Sequence, residues 1–160
     1  MGSGILRASF GIVMKEILFM CSGNYYRSRF AEAVFNHAAS QRALPWRAFS
    51  RGLAIYLVDG DISPWTEAAL AQRGIDRAMT GPTRVRVGET DLERAERIIA
   101  LKEAEHRPMM REQFPDWEDR VEYWSVHDLD FATPDEALPE IEEKVLALLE
   151  DLSAEMIHVR

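Results

Sequence analysis

What most constrains this chain is an alternation. Short continuous apolar runs are separated, about four times, by stretches whose apolar residues recur at helical spacing. Ile17-Leu18-Phe19-Met20 is apolar throughout, as a strand buried on both faces must be. Phe30, Ala31, Val34, Phe35 and Ala38 then mark one face of a helix from Ser28 to about Ser40. Ala48-Phe49-Ser50, turning at Arg51-Gly52, reads as a second strand. Ser63-Pro64 opens a helix over Trp65 to Arg73 that Gly74 closes. A short helix is expected at Asp91 to Glu96, a third strand at Arg97 to Leu101, a helix at Lys102 to Phe114 and a fourth strand at Val121 to Trp124. Ile141, Val145, Leu148, Leu149 and Leu152 place the last helix at Pro139 to Leu152. This order predicts an α/β fold, a four-stranded parallel sheet with helices on both faces. Ligands of such sheets sit beyond the carboxyl ends of the strands, so the loop that starts at Cys21 is the place to look.

With 160 residues, 47% hydrophobic and 29% charged, the chain has the size and make-up of one globular domain. That domain is expected over residues 14–160. Residues 1–13, MGSGILRASFGIV, read as a loosely held upstream extension or tag, and they lack the apolar core and cleavage pattern of a secretory signal. The single cysteine excludes an internal disulfide and a cysteine-built zinc site, and it suits a reducing, cytoplasmic setting. A net charge of −8 argues against nucleic acid or anionic lipid as a partner, and no run approaches a membrane span. His37, His106 and His158 show no ligand spacing and no dinucleotide or Walker pattern occurs, so neither metal nor cofactor is expected.

Residues 21 to 28 read Cys-Ser-Gly-Asn-Tyr-Tyr-Arg-Ser, between a buried strand and a helix. A short loop there turns the backbone N–H groups of Ser22, Gly23, Asn24, Tyr25 and Tyr26 toward one concavity at a helix N-terminus, which suits phosphate or sulfate. Gly23 offers backbone conformations closed to other residues, and Asn24 tolerates left-handed angles while its side chain braces the loop. Arg27 presents a planar fork to two phosphate oxygens, and Ser28 can cap the helix and donate to a thiolate. The same amides and guanidinium favour ionised sulfur at Cys21, the form that acts as a nucleophile.

These residues resemble the nucleophile loop of the low-molecular-weight protein tyrosine phosphatases, Cys-x-Gly-Asn-x-Cys-Arg-Ser, matched here by Cys21, Gly23, Asn24, Arg27 and Ser28. The resemblance covers roughly Met14 to Leu152. It implies a flavodoxin-like sheet and a metal-free phosphatase working through a phosphocysteine, on phosphotyrosine proteins or small aryl phosphates. Ser50-Arg51-Gly52 with Tyr56 resembles the family's Ser-Ala-Gly segment and its pocket-wall aromatic. Tyr56, Phe131 and Tyr25 together imply an aromatic-walled cleft suited to a phenyl phosphate. The family's general acid, the Asp of an Asp-Pro pair after the fourth strand, falls at Asp128, with Leu129 where Pro is expected and Asp130 as the alternative. His127 beside it could hydrogen-bond the acid. Tyr26 stands where the family has a second cysteine, and Lys102 where it commonly has Asp. Three rival readings share the loop: an arsenate reductase using an external thiol, a phosphoarginine phosphatase, and a non-catalytic phosphate-binding module.

Overall fold

The computed structural model describes residues 6–7 and 13–158. Most of the expected loose extension therefore lies outside the described residues. Its strand β1, Leu6–Arg7, pairs antiparallel with Val13 and Met14 at the start of β2, Val13–Cys21. The chain continues through α1 (Arg27–Gln41), β3 (Trp46–Gly52), α2 (Pro64–Gln72), α3 (Glu89–Arg94), β4 (Arg97–Ala100), α4 (Glu103–Gln113), β5 (Glu122–Tyr123) and α5 (Pro134–His158).

The parallel strands lie in the order β3-β2-β4-β5, so the chain winds to one side of β2 and then to the other. This is the expected flavodoxin-like α/β sheet. Its change of winding direction falls at the carboxyl end of β2, at Cys21, where such sheets open a crevice.

The period of two along β2 divides the core. Ile17, Phe19 and Cys21 face one layer, packed by α1 and α5 through Phe30, Val34, Phe35, Ile141, Val145 and Leu149. Leu18 and Met20 face the other, with Phe49, Leu53, Leu92, Met110, Trp117 and Val121. Ile17 through Met20 are fully buried, each contributing roughly 2 kcal/mol of apolar transfer free energy. Covered from both sides, β2 ends in a fixed direction, and the loop that follows inherits it.

The last helix departs from expectation. It starts at Pro134, five residues before Pro139, which lies inside it. Thr133 supplies the start signal. Glu136 Oε1 accepts from the Thr133 N–H at 2.9 Å and from its hydroxyl at 3.1 Å, and Pro134 takes the first helical position, where no N–H is needed. Pro139 stays close enough to that end for the helix to absorb it. The short helix α3 also starts and ends two residues earlier than expected, whereas the signals at α2 act as read: the Ser63 hydroxyl accepts from Trp65 N at 3.1 Å to cap it, and Gly74 takes φ +65° after it.

Candidate active site

All four parallel strands deliver side chains to one end of the sheet. From β2 comes the loop Ser22–Tyr26, bent throughout, running into α1 at Arg27. Among the described residues no backbone carbonyl accepts from the N–H groups of Ser22 through Ser28. The first to bond back is Phe30, to Tyr26 O at 3.2 Å. A run of unpaired amide donors at a helix N-terminus is an anion seat.

The loop holds its shape for reasons partly different from those expected. Asn24 takes the left-handed conformation, φ 51°, while Gly23 does not. What Gly23 supplies is space, since a Cβ there would lie 2.8 Å from Val58 Cγ2. Gly52, at the end of β3, is tighter still: its Cβ would meet the Ser22 carbonyl oxygen at 2.8 Å, so only glycine lets β3 approach the loop.

Beneath the loop runs a chain of buried hydrogen bonds with a defined direction. Arg29, fully buried, donates from Nε to Thr80 Oγ1 at 2.7 Å. Arginine has no acceptor, so the Thr80 proton goes to Glu32 Oε1, 2.6 Å away. Glu32 Oε1 also accepts from Ser50 Oγ at 2.6 Å. Asn24 Nδ2 then donates to Ser50 Oγ at 2.9 Å and to Ser28 Oγ at 3.0 Å, while Asn24 Oδ1 accepts from Val85 N at 2.9 Å and fixes the amide's orientation. Ser28 Oγ accepts from Asn24 and, at 3.0 Å, from the Cys21 thiol, and its own proton, given to no other acceptor, can turn to the sulfur once that is ionised. Ser28 therefore does not cap α1 as expected. It sits inside the first turn, and the helix has no side-chain cap because its open N–H groups face the loop. Burial pushes the Glu32 carboxyl up, only partly offset by hydrogen bonds from Ser50 and Thr80.

Cys21 and Arg27 are each 2% exposed, and the guanidinium is turned inward. Arg27 Nη1 donates to Val126 O at 3.0 Å, and Nη2 donates to Glu105 Oε2 at 2.9 Å and lies 3.3 Å from Asp128 Oδ2. Burial opposes the cation, but Cys21, Glu105 and Asp128 around it outweigh burial and hold it protonated. Of the two candidate acids, Asp128 is the one brought to Arg27. Asp130 is exposed two residues on. Asp128 Oδ1 accepts from Leu129 N at 2.9 Å, which fixes the carboxylate without the expected proline. His127 packs its ring near Phe131, centroids 5.7 Å apart, instead of bonding Asp128.

The two loop tyrosines diverge. Tyr26 is buried in the core with its hydroxyl unpartnered, and burial, then the Asp128 charge, push that hydroxyl up to about 12. Tyr25 is half-buried, packed against the core, its ring beside Gly60. Tyr56, on the turn after β3, and Phe131, on the loop after β5, are 83% and 71% exposed. Lys102 Nζ stands 4.4 Å from the Phe131 ring centroid.

Sequence reading missed Arg29, Glu32, Thr80, Glu105 and His106. Glu105 Oε2 accepts from Arg27, from the Ser22 hydroxyl and, at 3.2 Å, from His106 Nε2. The Ser22–His106–Glu105 cluster has the membership of a nucleophilic serine site but the wrong tautomer. The Lys102 N–H donates to His106 Nδ1 at 3.0 Å, so Nε2 carries the proton and cannot accept one from Ser22. Burial pulls the His106 ring below its ordinary value, the Glu105 hydrogen bond opposing, so it is neutral. Burial alone would raise Glu105, but hydrogen bonds from His106 and Arg27 hold it well below the usual carboxylate range. No group of acids, histidines and cysteine among the described residues could hold a metal ion, and no helix there is long and apolar enough to cross a membrane.

Comparison with known proteins bears on the same architecture. YfkJ from Bacillus subtilis superposes with a TM-score of 0.78 at 25% identity, covering 89% of this chain and 96% of its own. The YwlE arginine phosphatase from Geobacillus stearothermophilus gives 0.74 at 22% identity, covering 91% and 97%. The low molecular weight protein tyrosine phosphatase SP-PTP from Streptococcus pyogenes gives 0.72 at 22%, covering 87% and 93%. No curated protein matches the sequence. The family model for low molecular weight phosphotyrosine protein phosphatases matches residues 16–158, nearly all of the sheet, the Cys21 loop and the helices around them. The chain belongs to that family, a class of hydrolases that use a cysteine nucleophile.

Proposed function

We propose that this phosphatase hydrolyses phosphotyrosine in proteins, with small aryl phosphates as surrogate substrates. The observation that carries the chemistry is the Ser28 hydroxyl, 3.0 Å from Cys21 Sγ and left with its proton free by Asn24. A hydroxyl so placed donates to a thiolate and stabilises it. In the first step Cys21 Sγ attacks phosphorus, the P–S bond forms, the bond to the leaving oxygen breaks, and Asp128 gives that oxygen a proton. Arg27 and the amides of Ser22 through Ser28 take the charge of the phosphoryl oxygens. In the second step Asp128 removes a proton from water, the water oxygen attacks phosphorus, and the P–S bond breaks to return the thiolate. The exposed rings of Tyr56 and Phe131 favour a flat aryl group over an aliphatic one. A single thiol and an acidic surface support a cytoplasmic setting with phosphorylated proteins as partners.

The test compares wild type with Cys21→Ser on a phosphotyrosine peptide, a phosphoarginine peptide and p-nitrophenyl phosphate. Wild type should prefer the phosphotyrosine peptide, and quenched turnover should show a phosphoryl adduct by intact-protein mass spectrometry. Cys21→Ser should lose turnover by at least ~10⁴-fold. A preference for phosphoarginine would redirect the substrate assignment. Arsenate-dependent thiol consumption in excess of phosphatase turnover would replace it with a reductase.

A further inference from the structure

Arg27 has two carboxylate neighbours, and they differ in how they are held. Glu105 comes from the first turn of α4 and is the more buried, its side chain 24% exposed against 42% for Asp128. Its Oε2 is fixed by Ser22 and by a neutral His106 whose tautomer the Lys102 N–H sets. Asp128 rides on the loop between β5 and α5, and the side-chain contact that draws it inward is with the same Nη2 that Glu105 already binds. A guanidinium held by Asp128 alone would draw that carboxylate away from a leaving oxygen. It would also be unmoored whenever Asp128 moved toward substrate.

We propose that Glu105 is the standing anchor of Arg27, a positioning residue that holds the guanidinium so that Asp128 is free to release it and carry a proton. The proposal rests on the reading of Cys21, Arg27 and Asp128 above and adds a residue to it. It separates two tasks that one carboxylate cannot perform together, keeping the phosphate clamp in place and shuttling the proton. The His106–Lys102 contact belongs to the same device, because it aims an N–H and not a lone pair at Glu105. Removing the anchor's charge should hand Arg27 to Asp128 and weaken acid catalysis while leaving the oxyanion seat intact.

The experiment is kcat/KM of Glu105→Gln on phenyl phosphate, a poor leaving group, and on p-nitrophenyl phosphate, a good one. It is read with the inhibition constant for inorganic phosphate. The amide can still accept from Arg27, so phosphate inhibition should stay within about threefold of wild type, whereas phenyl phosphate should lose roughly tenfold more than p-nitrophenyl phosphate. In an Asp128→Ala background the same substitution should show no such leaving-group dependence. Equal losses on both substrates, no loss on either, or an undiminished dependence without Asp128 would overturn the proposal. If Glu105→Gln does not fold, His106→Asn takes its place: it withdraws the N–H that aims Glu105, and the same selective loss on phenyl phosphate is expected. A wild type inactive on both substrates would instead defeat the underlying reading, which separates the two failures.

Discussion

The floor of the loop and its mouth are built on opposite terms. Under Cys21, the side chains of Ser28, Asn24, Ser50, Glu32, Thr80 and Arg29 are buried, and from Arg29 to Ser50 each hydrogen bond fixes whether the next group donates or accepts. At the mouth Tyr56, Phe131 and Leu129 are exposed, and the Asp128 carboxylate is held by Arg27 and its neighbour's N–H. Buried polar groups left unpartnered cost far more than exposed ones, so the floor has a single low-energy arrangement while the mouth has room to vary. The difference teaches where to expect each kind of defect. Changes in the floor should damage folding and activity together, and changes in the mouth should alter turnover or preference in a protein that remains stable.

The largest effect expected is at Arg29. Arg29→Met removes a fully buried cation, takes the donors that Arg29 gives to the carbonyls of Asp61 and Gly81 and to the Thr80 hydroxyl, and leaves the buried Glu32 carboxyl without its neighbouring positive charge. The loss should be about 3 kcal/mol of stability, a fall in Tm of roughly 10 °C. Thermal unfolding checks it, and a variant as stable as wild type would show that the floor is not the rigid half.

Asp128→Ala should do the reverse. The expected cost is about 10²-fold in kcat/KM on phenyl phosphate, with Tm close to wild type, because a partly exposed ion pair contributes little to folding. Asp130→Ala should change neither. If Asp130 carried the loss, the proton would travel by the exposed carboxylate, and the Arg27 contact at Asp128 would be incidental.

Much of this was legible because it is local. The apolar run of β2, the helical spacing of α1 and the cap at Ser63 each need only a few consecutive residues. So does the loop, whose Cys21, Gly23, Asn24, Arg27 and Ser28 stand together. The start of α5 was legible too, in Thr133-Pro134-Asp135-Glu136, but Pro139 is the more conspicuous punctuation and drew the boundary to itself. The floor and the Arg27 anchor were not legible. Thr80 is 51 residues from Arg29, and Glu105 is 78 from Arg27. Each is a common residue type that reads as a solvated face until the fold closes around it. Ser28 was half legible: its place beside the Cys21 sulfur was expected from the loop, but its capping role was not found, because it lies inside the first turn of a helix with no side-chain cap.

Smaller changes are expected from the rings at the mouth. Tyr56→Ala or Phe131→Ala should raise KM for a phosphotyrosine peptide roughly threefold to tenfold and leave kcat and Tm nearly unchanged. An equal rise for an aliphatic phosphate would deny the rings a part in selecting an aryl group.

The smallest expected effect tests the boundary between floor and mouth, at His106. Its ring is buried and held below its ordinary value of 6.5, so the folded protein binds this proton less readily than the unfolded chain does. As pH falls below about 6.5 the unfolded state gains protons first, and stability is lost at up to ~1.4 kcal/mol per pH unit. Glu32 works the other way. Its carboxyl is pushed up, so its part of the stability rises as pH falls toward its ordinary value of 4.5. The two overlap within the span between their ordinary values of 4.5 and 6.5 in the wild type, and a raw pH profile would blur them. Subtracting the profile of His106→Asn, whose amide oxygen can still accept from the Lys102 N–H, isolates the histidine. The difference should favour wild type increasingly as pH rises through this window. A flat difference would mean that the ring titrates as freely as an exposed one, and that the floor does not extend as far as Glu105.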